Sequence, residues 1–235
     1  MKILALDSTA KTASVSITDG ERLISIYSVT AGLNHSETLL PMVENALKTA
    51  QMGVDDIDMF AISDGPGSFT GVRIGVSLLK GLAFGKNKLC VGVSTLEALA
   101  YNMTGFDGIV CPVMDARRDQ VYNALFLSEG GRLTRLTEDR AIALCALESE
   151  LAEKYGDKKI YLCGDGYDVA AKGMNIAFCS TPVLLREQNA YSVAVAAMAR
   201  YNSCPEGAYT DRDVMPTYLR VPQAERERLE RILQQ

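Results

Sequence analysis

The sequence predicts an α/β protein of two lobes, each a mixed sheet with flanking helices. Three observations predict it. Strand-like and helix-like patterns alternate along most of the chain, which implies parallel pairing through crossover helices. The opening pattern returns about a hundred residues later: MKILALDSTAKTASVSITDGERLISI is echoed by GIVCPVMDARRDQVYNALFLSEGGRLTRL, each reading strand, Asp, turn, strand, glycine turn, strand. The 235 residues, 48% of them hydrophobic, suffice for one large core or two smaller ones.

Taken in order, KILALD is an apolar run, and ASVSIT and RLISIYSV alternate with period two. Asp19-Gly20 between them signals a hairpin. SETLLPMVENALKTAQ then sets Leu39, Leu40, Val43, Ala46, Leu47 and Ala50 at helical spacing. Ser36 is the expected N-cap, but Pro41 suits only a first turn, so the helix is expected to begin later than Ser36 suggests. IDMFAIS reads as a strand, VRIGVSLLKGLAFG as a helix, LCVGVS as a strand and TLEALAYN as a helix. These make a first lobe, residues 1–105. In the second, residues 106–235, Asp115 ends the strand equivalent to the one Asp7 ends, and Gly130 matches Gly20. ALCALESELAEKY, KKIYLCG and SVAVAAMARYN follow as helix, strand and helix, so each copy reads β-β-β-α-β-α-β. VPQAERERLERILQQ reads as a charged helix with Leu229, Ile232 and Leu233 on one side, and the tail 216–235 is expected to pack back on the first lobe.

Composition narrows the chemistry. A net charge of −5 argues against a chain that grips nucleic acid unaided. Six cysteines, none in a C-x-x-C pair, read as reduced and mostly buried thiols of a cytoplasmic protein, not as zinc ligands. The N-terminus reads as a first strand, not a signal peptide, and no apolar run is long enough for a membrane span. His35 is the only histidine, so a histidine metal pair is excluded and a Ser-His-Asp triad would have to use His35 itself; a polar residue at a helix start is the expectation. No metal site, cofactor or catalytic residue is expected.

A duplicated unit that begins with a three-stranded meander resembles the actin and sugar kinase superfamily, of the ribonuclease H-like fold. The resemblance implies an ATP cleft between lobes, with glycine-rich phosphate turns after the first strand of each. The equivalents here are DSTAKTA (7–13) and DARRDQV (115–121), and neither holds a glycine. Side chains on such turns obstruct the close approach of backbone N–H groups to a phosphate. Asp7, Ser8, Thr9, Asp115, Gly164 and Gly166 are therefore read as a degenerate nucleotide cleft, with Asp7 a structural strand-end residue and the GDG turn at 164–166 where superfamily members contact adenosine.

DGPGSFTGVRIG, residues 64–75, is neither a Walker loop nor G-x-G-x-x-G: no Lys-Ser/Thr follows its last glycine, and its glycines stand at 65, 67 and 71. These glycines are read as serving backbone shape. The helix that follows, expected over Thr70–Gly85, carries one narrow polar stripe of Arg73, Ser77 and Lys80. Val72, Val76, Leu79 and Ala83 form one apolar face, and Gly71, Ile74, Gly75, Leu78 and Leu82 another. Gly75 and Gly81 each cost ~1 kcal/mol against alanine, and close approach of a second helix would offset that. The expected partner face comprises Leu39, Met42, Val43 and Ala46 of the preceding helix with Gly71, Ile74, Gly75, Leu78 and Leu82.

GPGSFTGVRIG, NHSETLLP, DARRDQVY and PTYLR closely resemble the TsaB (YeaZ) family, over Asn34 to Arg220. The resemblance implies the actin-like fold and a role in making threonylcarbamoyladenosine beside the tRNA anticodon. It implies a non-catalytic scaffold that binds and activates a catalytic paralogue, TsaD, joins a small ATPase, TsaE, and also forms homodimers, with tRNA reached only through the complex. The paralogue's metal-binding histidine pair is absent here. An ATP-dependent phosphotransferase or ATPase of the same fold is the alternative, and a peptidase is a third reading that one histidine and no zinc ligand set make improbable.

Overall fold

The computed structural model describes residues 1–207 and 209–220; the expected C-terminal helix, 221–235, lies outside them. The first sheet has the order β3-β2-β1-β4-β5. Its strands are β1 (Lys2–Asp7), β2 (Ala13–Asp19), β3 (Arg22–Val29), β4 (Met59–Gly65) and β5 (Leu89–Ser94). β1, β2 and β3 form the antiparallel meander, and β4 and β5 run parallel to β1. Both faces of this sheet are covered, and the period of two sorts its side chains. Leu4, Leu6, Phe60 and Ile62 face α1 (His35–Thr49) and α2 (Phe69–Ala83), whereas Ile3, Ala5, Met59 and Ala61 face the other way.

What covers that other face is α6 (Ala190–Ser203), through Ala190, Val193, Ala194, Ala196 and Ala197. Small side chains let the helix lie close to the sheet, and the Ala190 amide donates to Ser14 Oγ on β2 (3.0 Å). The expected second lobe, 106–235, thus gives its last helix to the first sheet. Period and composition show that a helix is two-sided but not which sheet it reaches.

The second sheet contains β6 (Gly108–Asp115), β7 (Gln120–Asn123), β8 (Phe126–Glu129), β9 (Arg132–Arg135), β10 (Arg140–Ala143) and β11 (Ile160–Cys163). The meander is repeated, but its second and third strands are each split in two. β7 and β8 lie against β6 in one register, Val113 opposite Asn123 and Val110 opposite Phe126. The break falls between those pairs, where Pro112 supplies no amide hydrogen to the ladder. The buried Asn123 side chain donates to the Pro112 carbonyl (2.9 Å). β11 pairs parallel with β6 as β4 does with β1, and a single Tyr161–Cys179 bridge stands where a fifth strand would lie. The architecture is the duplicated, actin-like α/β one, with a reduced second copy. α4 (Leu144–Tyr155) and α5 (Tyr167–Gly173) cover one face of this sheet. α3 (Thr95–Tyr101) sits at the joint: Ala98 packs on the first sheet, and Leu96, Leu99 and Ala100 pack on the second.

The two helices beside the glycine turn begin on side-chain caps. Asn34, not Ser36, caps α1, accepting from the Ser36 amide (3.3 Å). Pro41 lies inside this helix, on its exposed side, so the Glu37 carbonyl that its missing N–H leaves unpaired faces water. Ser68 caps α2, accepting from the Gly71 amide (3.2 Å).

Candidate functional site

Three chain segments meet at the start of α2. Asp7 ends β1 and turns its carboxylate back on the chain, accepting from the Thr9 amide (2.9 Å) and the Thr9 hydroxyl (2.7 Å). It is buried, and burial pushes its carboxyl above the ordinary range against these hydrogen bonds. Ser8 Oγ donates to the Gly71 carbonyl (2.8 Å), and the Thr9 carbonyl accepts from the Ser68 amide (2.6 Å). The turn after β1 is thus spent on holding the start of α2.

The glycines allow that approach. A Cβ on Gly67 would stand 2.5 Å from the Thr9 carbonyl oxygen, and one on Gly71 2.0 Å from that of Ser8. One on Gly65, at φ +129°, would stand 2.3 Å from the Thr217 oxygen. GPGSFTG is therefore a shape that lets the β1–β2 turn and the 217 segment touch it from two sides. It is bound up with the chain's own backbone where a phosphate loop would leave its amides open.

A cavity of about 610 Å³ lies between the lobes. Thr9, Lys11, His35 and the start of α2 line one wall, and Asp115, Arg117 and Asp165 the other. Of the six expected cleft residues, Thr9 and Asp115 face this cavity, while Asp7 and Ser8 are buried behind it. Gly164 and Gly166 shape the wall: the Gly166 amide donates to the Val113 carbonyl (3.0 Å), and a Cβ on Gly164 would stand 2.2 Å from the same oxygen. Asp115 accepts from the Arg117 amide (2.7 Å). Arg117, Arg118 and Asp119 follow with φ of +62°, +56° and +55°, a left-handed turn without glycine. His35 approaches the Ala10 carbonyl through Nε2 (2.7 Å), which makes that nitrogen the donor.

Two acids here escaped sequence reasoning. Desolvation, with the charges of Glu187 and Asp115, pushes Asp165 up to about 6. Desolvation pushes Asp64 up to about 7, Arg200 opposing and Asp139 adding. Asp64 borders a second inter-lobe cavity of about 780 Å³. There Arg135 of β9 bonds Glu97 of α3 (2.7 Å) and Asp139 (2.6 Å), and Ser94 Oγ donates to Asp139 (2.5 Å). The sequence signals were present, an acid inside GDG and another opening DGPG, but which charges face them across a cleft is not a local property.

The expected partner face is redistributed. Leu39, Met42, Val43 and Ala46 are buried in the chain's own core. Gly71 and Gly75 face inward; a Cβ on Gly75 would stand 2.4 Å from Ser8 Oγ and 2.7 Å from Ile62 Cδ1. The close approach that offsets a helical glycine is thus intramolecular at 75, and at Gly81 no described residue lies within 4 Å. Ile74, Leu78 and Leu82 remain as a half-exposed apolar row. Beside them Arg73 pairs with no acid among the described residues: its guanidinium lies 3.7 Å over the Phe69 ring, and its Nε donates to Tyr218 Oη (2.8 Å). The neighbouring exposed side of α1 carries Glu37, Leu40 and Glu44.

The family model described as "TsaD: tRNA N6-adenosine threonylcarbamoyltransferase" matches residues 27–222. The chain is 36% identical over 164 residues to the tRNA threonylcarbamoyladenosine biosynthesis protein TsaB of Bacillus subtilis, covering 70% of this chain and 71% of that one. It is 34% identical to the protein of the same name from Escherichia coli, over 60% of this chain and 62% of that one. In fold it is similar to YeaZ from Pseudomonas aeruginosa, with a TM-score of 0.78 at 24% identity, covering 93% of this chain and 99% of that one.

Proposed function

The chain belongs to the TsaB (YeaZ) family of tRNA threonylcarbamoyladenosine biosynthesis proteins, and from that premise we propose that it serves this modification, beside the anticodon, as a non-catalytic partner subunit. Its role is to bind and activate a TsaD-like catalytic paralogue in the cytoplasm, with a TsaE-like ATPase joining the assembly and tRNA reached through the complex. The observation that carries the reading is the α2 face: Ile74, Leu78 and Leu82 lie half-exposed in one row beside Arg73 and Lys80. An apolar row flanked by cations suits a helix of matching apolar pattern that carries carboxylates. The α1 surface of a second copy, with Leu40, Glu37 and Glu44, has that chemistry, which supports homodimerisation through the same face. The β1–β2 turn, whose Thr9 amide is held by Asp7 and whose Thr9 carbonyl is taken by the Ser68 amide, supports a chain without ATP chemistry of its own.

The test is to mix the purified chain with the paralogue and weigh the species by size exclusion with light scattering, with and without ATP. A stable one-to-one complex, with no ATP hydrolysis by this chain alone, is the expected result. Tight ATP binding and turnover by the lone chain, without a complex, would overturn the reading in favour of an ATP-dependent enzyme.

A further inference from the structure

Residues 214–220 have no regular secondary structure, yet they run from the α2 face to the turn at the mouth of the cleft. Val214 is buried in the first core. The Thr217 amide donates to the Asp64 carbonyl (2.7 Å), and its own carbonyl lies against Gly65. Tyr218 stacks on Phe69, ring centroids 4.8 Å apart, and accepts from Arg73. Arg220 Nη1 donates to the Ala116 carbonyl (2.7 Å), in the left-handed turn of the second lobe. Thr217 and Leu219 line both inter-lobe cavities, so the segment is the partition between them.

We propose that Val214–Arg220 is a lever that makes the shape of the inter-lobe cleft depend on what happens at Arg73. Its two states are docked and lifted. Among the described residues Arg73 hydrogen-bonds through Nε alone, to Tyr218, which leaves both terminal nitrogens to take a carboxylate end-on while the Tyr218 bond stays intact. An acidic group arriving on α2 therefore fixes the guanidinium over Phe69, holds Tyr218 down and stabilises the docked state. Through Thr217 and Arg220 the same event steadies the end of β4 and the Ala116–Gln120 turn, on opposite walls of the cleft. That two sites bias one two-state element is what coupling requires. The lever does not depend on the partner reading; only its operation by a docked subunit rests on that reading.

The experiment is amide hydrogen exchange on the full chain, wild type against Arg73→Ala and Tyr218→Phe. The strap reports through the Thr217 amide, and the cleft turn through the Ala116 and Gln120 amides, which donate to Gln120 and Arg117 carbonyls. Losing one side-chain hydrogen bond from a local opening equilibrium speeds exchange about fivefold. The proposal expects that acceleration at Thr217 and, in the same variants, at Ala116 and Gln120. Acceleration at Thr217 alone, or no change at either place, overturns it. A second arm adds the paralogue: protection of α2 with no slowing at Ala116 and Gln120 also overturns the lever. Absence of any protection of α2 counts against the partner reading, while the lone-chain variants still decide the lever.

Discussion

Gly71 and Gly81 lie on one helix and should respond to one substitution with opposite signs. Glycine in a helix costs ~1 kcal/mol relative to alanine, so Gly→Ala stabilises wherever the new methyl finds room. At Gly81 the residue is exposed and no described residue lies within 4 Å, so the gain is realised, about 0.5–1 kcal/mol. At Gly71 the methyl would sit 2.0 Å from the Ser8 carbonyl oxygen, which is backbone and cannot rotate aside. The β1–β2 turn must shift, an overpacking cost of about 1–3 kcal/mol. The shift also strains the buried Ser8–Gly71 hydrogen bond, worth about 1 kcal/mol. After the propensity gain, Gly71→Ala loses about 1–3 kcal/mol. For a chain of this size each kcal/mol moves Tm by about 2–4 °C. Thermal unfolding followed by circular dichroism should therefore place Gly81→Ala above wild type by about 2 °C and Gly71→Ala below it by about 2–12 °C. A Gly71→Ala protein as stable as wild type would refute the account of the turn as a close-packed backbone junction.

Three further outcomes follow from the same contacts. Asp7→Ala strands the Thr9 amide and hydroxyl in the interior and should cost about 1–3 kcal/mol in urea unfolding, whereas Asp7→Asn keeps an acceptor and should fall well short of that loss; equal losses would show that the charge itself matters. Asp64, at about 7 when folded against 3.8 for the free side chain, holds its proton more tightly in the native state. Its contribution is full below pH 4 and is lost as pH rises through 7, so Asp64→Asn should raise the urea midpoint at pH 8 more than at pH 5; an equal rise at both would contradict the assignment. Leu78→Glu puts a charge in the half-exposed row and should weaken association at least about tenfold, ~1.4 kcal/mol, with an unchanged Tm for the isolated chain; a fall in both would return Leu78 to the core.

The elements most readily legible were those whose signal is local. The alternation of β2 and β3 and the glycine hairpins at 20 and 130 could be read because each is fixed within a few residues. The shape role of Gly65, Gly67 and Gly71 was legible too, since no anion-binding pattern fits their spacing. The covering of α2 was legible only in part. An all-round apolar helix states that it is covered on every side, but whether Gly75 meets a second chain or Ser8 of its own depends on contacts 67 residues apart in sequence. The destination of α6, the split at Pro112 and the lever at 214–220 share that property: each is defined by a distant neighbour, and PTYLR carries no period that would reveal one.

The position of α6 has a consequence for the order of events during synthesis. Ile3 and Ala5 leave the ribosome some 185 residues ahead of the side chains that cover them, from Ala190 to Ala197. At about 5–20 residues per second the meander waits roughly 10–40 s with one apolar face bare. Residues 1–105 are thus half of a sandwich, and a nascent chain stalled there would present that face to chaperones. The first sheet is closed only after every strand of the second has been made.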